Sequence, residues 1–131
     1  MRRKSFEGDS CPIRRSLDVV GDWWSLLIVR DAFAGVRRYS DFHRSLGSAK
    51  NILATRLKAL VAQGILTTEP ASDGSSYQEY VLTEKGRALR PVMVALSQWG
   101  RAYLYQPGEV PSSPLTTSPS ATRARASAAS D

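Results

Sequence analysis

Hydrophobic positions along this chain change spacing several times, and each change marks an element. Pro12 opens the first expected helix, at a position where its missing N–H costs nothing, with Ser10 or Cys11 just outside; Gly21 closes it after Val20. Asp22 stands where an N-cap belongs for a second helix, Trp23–Phe33, whose Trp23, Trp24, Leu27, Ile28 and Val29 are expected to supply much of the core. Ala34-Gly35 breaks that helix. A short helix follows, with Ser40 as its expected N-cap and an end near Leu46, then the turn Gly47-Ser48-Ala49. In the next helix a 100° step per residue gathers Leu53, Leu57, Leu60, Val61 and Gly64 on one side. Asn51, Thr55 and Lys58 fall together on the other side, with Lys50 at the N-terminus and Arg56 on the flank.

Beyond Gly64 the spacing shortens to alternation. Ile65–Glu69 and Tyr77–Leu82 read as two antiparallel strands, with turn chemistry at Asp73-Gly74. Thr83 then caps a last helix expected to run to about Tyr105. Within it Leu89, Val92, Leu96, Trp99 and Tyr103 step by 3, 4, 3 and 4, a seam suited to packing against another helix. Pro91 should kink this helix or offset its start. From Pro107 the chain is mostly Pro, Gly, Ser, Thr and Ala, too poor in apolar surface to offset the entropy of ordering. The expected division is a flexible start over residues 1–10, one domain over 11–105, and a disordered tail over 106–131. Short helix, glycine turn, basic helix and hairpin together describe an α+β fold, a winged helix-turn-helix with additional N- and C-terminal helices.

The 131 residues suffice for one domain with a single core. A net charge of +6 and a pI near 9.9 favour a polyanionic partner, nucleic acid or an acidic membrane surface. Position decides between them. From Arg37 to Lys58 the cations Arg37, Arg38, Arg44, Lys50, Arg56 and Lys58 face a single carboxylate, Asp41, so the surplus sits on the helix-turn-helix. No apolar run approaches the roughly 18 residues of a membrane span, and the basic start lacks a signal core, so a soluble cytoplasmic protein is expected. With one cysteine, Cys11, and one histidine, His43, the chain can form no internal disulfide and no metal cluster within a subunit. An enzyme built on a Cys11–His43 pair has neither a phosphate loop nor paired carboxylates to support it. No cofactor is expected.

The residues also carry a family resemblance. Cys11-Pro12-Ile13-Arg14-Arg15, Val20-Gly21-Asp22-Trp23-Trp24-Ser25-Leu26-Leu27-Ile28, Arg38-Tyr39-Ser40-Asp41-Phe42, Asn51–Leu60, Gly64-Ile65-Leu66, Tyr80–Gly86 and Trp99-Gly100 occur in the order found in HxlR-type winged-helix regulators, which are related to the MarR type. The chain resembles that family over residues 11–105. The resemblance implies a homodimeric cytoplasmic transcription factor on a palindromic operator, with the first and last helices as its dimer interface. Some relatives sense oxidants or electrophiles with the cysteine that precedes the proline, the place held here by Cys11. A second, resolving cysteine is missing.

For DNA, the expected contacts are Lys50, Asn51 and Thr55 from the recognition helix, since Asn can pair with adenine and Lys with guanine. Lys58, Arg37, Arg38 and Arg44 are expected nearer the backbone, with Ser75 and Ser76 from the wing tip, and Ser40 and Ser48 complete the expected DNA contacts. Arg56 is either a phosphate contact or half of a structural ion pair. The dimer interface is expected at Leu17, Leu89, Val92, Leu96, Trp99 and Tyr103. Trp23, Trp24 and Trp99 read as packing residues, with an aromatic ligand pocket as the alternative. Cys11 is either an inert residue or a sensor, its thiolate favoured by a helix N-terminus and by Arg14 and Arg15. A winged helix turned to protein–protein contact would show an apolar recognition face, which Asn51, Thr55 and Lys58 oppose.

Overall fold

The computed structural model describes residues 5–47 and 50–112. Six α-helices and one hairpin follow in the order α1 (Pro12–Val20), α2 (Trp23–Phe33), α3 (Tyr39–Leu46), α4 (Lys50–Ala62), β1 (Leu66–Pro70), β2 (Gln78–Leu82), α5 (Glu84–Arg87) and α6 (Arg90–Tyr103). The fold is a winged helix-turn-helix. Its helix starts follow local chemistry. Pro12 occupies the first turn of α1, and the Asp22 carboxylate accepts from the Ser25 N–H at 2.8 Å to cap α2. Thr83 caps α5 by accepting from the Gly86 N–H at 3.0 Å.

The leucine stripe of α4 forms the floor of the core. Leu53, Leu57 and Leu60 are buried against Ile28 and Val29 of α2, Phe42 of α3, and Ile65, Leu66 and Leu82 around the hairpin. The strands pair antiparallel, Leu66 opposite Leu82, Thr68 opposite Tyr80 and Pro70 opposite Gln78. Each strand begins one residue later than its alternation suggested. Beyond this two-stranded sheet, the Arg37 carbonyl accepts from the Tyr80 N–H at 2.8 Å, so the segment before α3 is tied to β2.

Three expectations are corrected. Trp23 is not a core residue: it is 71% exposed, because it lies two turns ahead of Arg30 on the outer face of α2, while Trp24 is half-buried and meets it edge-on at 5.8 Å. Ser40 is not the cap of α3. That helix begins at Tyr39, where the Arg38 carbonyl already accepts from the Asp41 and Phe42 N–H groups. The last helix is two helices. Pro91 has no N–H for the Arg87 carbonyl, so the chain turns at Ala88-Leu89, where the Leu89 N–H reaches only Gly86.

Residues 5–10, expected to fray, run back along α1: Ser5 Oγ donates to Asp18 at 3.2 Å, and Arg14 lies over the Phe6 ring. Most of the tail expected to be disordered, residues 113–131, lies outside the described residues, as do residues 1–4. Among the described residues no helix is long and apolar enough to cross a membrane.

Candidate nucleic-acid interface

The helix-turn-helix is set by two anchors. Phe42 is fully buried and meets the Tyr80 ring at 6.4 Å, pinning α3 to the hairpin. Gly47 then leaves α3 with φ of 66°, a left-handed conformation that turns the chain toward α4 without a Cβ in the way. Because the leucines hold one side of α4, Asn51, Thr55 and Lys58 are exposed together on the other. The Thr55 hydroxyl donates back to the Asn51 carbonyl at 2.8 Å, which leaves its oxygen free to accept. The Asn51 side chain is open at the start of the helix. Ser48 and the Lys50 side chain lie outside the described residues.

Several arginines on this face hold protein carboxylates. Arg44 Nη1 lies 3.0 Å from Asp41 Oδ1, one turn back on α3, and the arginine stays exposed. Arg56 Nε is 3.7 Å from Asp22 Oδ1, the carboxylate that caps α2, so of its two readings the structural pair is present. Lys58 pairs with no carboxylate among the described residues.

The wing carries more charge chemistry than its tip suggested. Arg37 Nη1 lies 3.2 Å from Glu79 Oε1, and Arg38 Nε lies 3.8 Å from Glu79 Oε2. Arg38 Nη2 also reaches Asp73 Oδ2 at 2.5 Å, and the guanidinium covers the Tyr77 ring at 5.3 Å. Asp73 accepts from the Ser75 N–H and from Arg38, and these bonds hold its pKa at about 2. Burial pushes the Glu79 carboxyl up, but bonds from the Ser72 N–H, Arg37 and the Ser72 hydroxyl outweigh it and leave the group below its ordinary value. Arg38 is raised, chiefly by its bond to Asp73. Ser75 lies 3.5 Å from Arg38, and Ser76 is exposed.

Glu79 and Tyr77 were missed from sequence. A lone acid inside a strand flanked by tyrosines was the available signal, because such a carboxylate needs a cation. Its partners stand about forty residues earlier, and no local pattern names them.

Elsewhere, Cys11 is partly exposed at the start of α1, its N–H bonded to Asp9 Oδ1 at 2.8 Å. Asp9 also binds Arg14 at 3.2 Å and, through its carbonyl, Arg15, so both arginines near the cysteine have partners. His43 stacks on Tyr39, with ring centroids 6.4 Å apart. On α6, Val92, Leu96, Trp99 and Tyr103 form an exposed stripe, and Leu17 with Ile13 is exposed on α1. Leu89 instead packs against the core. No group of three potential metal ligands occurs among the described residues.

The family model for the HxlR-like helix-turn-helix matches residues 19–107. The chain belongs to this family. An uncharacterized HTH-type transcriptional regulator of Mycobacterium tuberculosis is 45% identical over 102 residues, which cover 78% of this chain and 63% of the relative. The chain thus spans under two thirds of that relative's length. The crystal structure of PA1607, a candidate transcription factor, matches with a TM-score of 0.78 and 55% identity over 82% of this chain and 75% of that one. The redox regulator HypR in its reduced form matches with a TM-score of 0.64 and 31% identity, covering 70% of this chain and 92% of its own. The family and the relatives named for transcription are regulators rather than enzymes.

Proposed function

We propose that this HxlR-like chain is a sequence-specific transcription regulator of the cytoplasm, binding a palindromic operator as a homodimer. One observation carries the reading: α4 turns Asn51, Thr55 and Lys58 outward as a polar row, opposite a fully buried leucine stripe and beside a hairpin. A helix so presented can lie in a major groove with the wing on the adjacent backbone. Asn51 and Thr55, with Lys50, read base edges. Lys58, Arg44, Ser40, Ser48, Ser75 and Ser76 contact the backbone, which positions the helix without reading sequence.

The test is footprinting and fluorescence anisotropy on DNA flanking the chain's own gene. A dyad-symmetric footprint is expected. Asn51→Ala should lose about 1–3 kcal/mol of discrimination at one base position per half-site. Lys58→Ala should weaken operator and random DNA alike and flatten the salt dependence by about 0.9 per lost contact. Equal losses on both DNAs from both variants would show that this face of α4 does not read bases.

A thiol-responsive form of the same reading is favoured by the place of Cys11, partly exposed at the start of α1 and close in sequence to the exposed Ile13 and Leu17. An electrophile adduct or mixed disulfide there would add bulk beside the proposed subunit interface and change the spacing of the two α4 helices. Diamide should then alter operator binding of the wild type and leave Cys11→Ser unaffected. Identical responses from the two proteins would remove Cys11 from the mechanism.

A further inference from the structure

Arg37 and Arg38 precede α3, where a helix-turn-helix crosses the DNA backbone, and a charge count alone would give both to phosphate. Their geometry points elsewhere. Glu79, only 4% exposed, receives Arg37 at 3.2 Å on one oxygen; on the other it receives Arg38 at 3.8 Å and the Ser72 N–H and hydroxyl at 3.3 Å each. Arg38 extends the chain of contacts to Asp73 at the wing tip and lies over Tyr77. A buried carboxylate is costly unless it is paired, so Glu79 keeps both guanidiniums beside it, with 48% of the Arg37 side chain still exposed.

We propose that Glu79 is a specificity-determining residue: together with Asp73, the closer partner of Arg38, it withholds Arg37 and Arg38 from the DNA backbone and commits their charge to fixing the wing against α3. The reason this matters is differential. A phosphate contact strengthens operator and random DNA alike, and the useful quantity is the ratio of the two. Two arginines per subunit, four per dimer, would raise indiscriminate binding most. Held by Glu79, they orient the wing and add little to random affinity. The inference rests on the DNA-binding reading above, and its test separates the two.

Salt titrations on the operator and on a random duplex compare wild type, Glu79→Gln and Glu69→Gln. Glu69 is exposed, stands opposite Glu79 in the strand register, and pairs with no cation among the described residues, so its variant changes net charge equally without freeing an arginine. In Glu79→Gln the random-DNA salt dependence should steepen by about 2 units per dimer, the share of Arg37, because Asp73 still holds Arg38. Random binding should tighten at least tenfold, and the operator-to-random ratio should fall at least tenfold. Glu69→Gln should keep the wild-type slope. A merely structural Glu79 would lower both affinities without steepening either slope, and that result, or a slope equal to that of Glu69→Gln, overturns the proposal. If Glu79→Gln does not fold, the wild type decides: the side-chain Nε–H signals of Arg37 and Arg38 should stay in place when operator is added, and shifts of the kind phosphate causes would overturn it. A wild type without operator preference defeats the DNA-binding reading itself; operator preference with matching slopes defeats only the role of Glu79.

Discussion

Thr83 and Gly86 show how much one junction asks of single residues. The Thr83 hydroxyl donates to the Gly64 carbonyl at 2.5 Å and accepts from the Gly86 N–H, tying the end of α4 and the start of α5 to one side chain. Thr83→Val keeps the shape and loses both bonds, and urea denaturation should show about 1–2 kcal/mol less stability. Gly86 is needed for space. A Cβ there would stand 2.2 Å from the Ile65 carbonyl oxygen and 2.9 Å from Leu82 Cδ2. Because the nearer atom is backbone, Gly86→Ala must push α5 off the hairpin, at a cost of about 1–3 kcal/mol. Both changes open the same junction, so the double variant should lose less than the sum of the two. Unchanged urea midpoints in both single variants would show that the junction does not hold the wing in place.

At the scale of elements, the wing is an electrostatic hairpin as much as a packed one. Asp73 has a folded pKa of about 2, against about 3.9 for an unfolded aspartate. A depressed pKa stabilises the fold above the unfolded value, and that contribution is lost as pH falls through the folded one. The wing tip should therefore loosen between about pH 4 and pH 2. The Ser75 amide signal, bonded to Asp73, should titrate with a midpoint near 2 in the wild type, and higher in Arg38→Ala. A midpoint near 4 in both proteins would mean that the tip contacts do not persist in solution. The same contrast explains what the sequence made legible. Caps at Asp22 and Thr83, the Pro12 start and the leucines of α4 act within one helical turn, so local pattern finds them. The polar row of α4 was legible as the complement of that stripe. The outward turn of Trp23 and the arginine clamp depend on partners brought close only by folding, and a charge count assigned those arginines to DNA. Pro91 predicts a kink or an offset start; the break lies at Ala88, three residues before the proline.

For the whole molecule, the decisive surface is α6. Met93 is the one buried residue of that helix, while Leu96 is 49% exposed, Trp99 58% and Tyr103 74%, an apolar stripe left open among the described residues. Stripes of this kind on soluble proteins mark contact surfaces, and fully burying each such side chain contributes about 1.5–3 kcal/mol. A two-fold axis near Leu96 would set that residue beside its own counterpart and pair the other stripe residues reciprocally, so a substitution acts twice. Leu96→Glu would set two carboxylates near that axis, where like charges lose both their water and their apolar neighbours. Sedimentation should show the subunit affinity weakened by at least about a hundredfold, the equivalent of roughly 3 kcal/mol. The protomer should keep its melting behaviour, since Leu96 lies outside the core cluster. Operator affinity should fall with the proposed dimer, because a dyad-symmetric operator would take two α4 helices in successive major grooves about 34–36 Å apart, whereas weak binding to a single half-site should remain. A wild type that sediments as a monomer at micromolar concentration would contradict this assembly. So would a monomeric Leu96→Glu variant with undiminished operator affinity, since one recognition helix would then be enough.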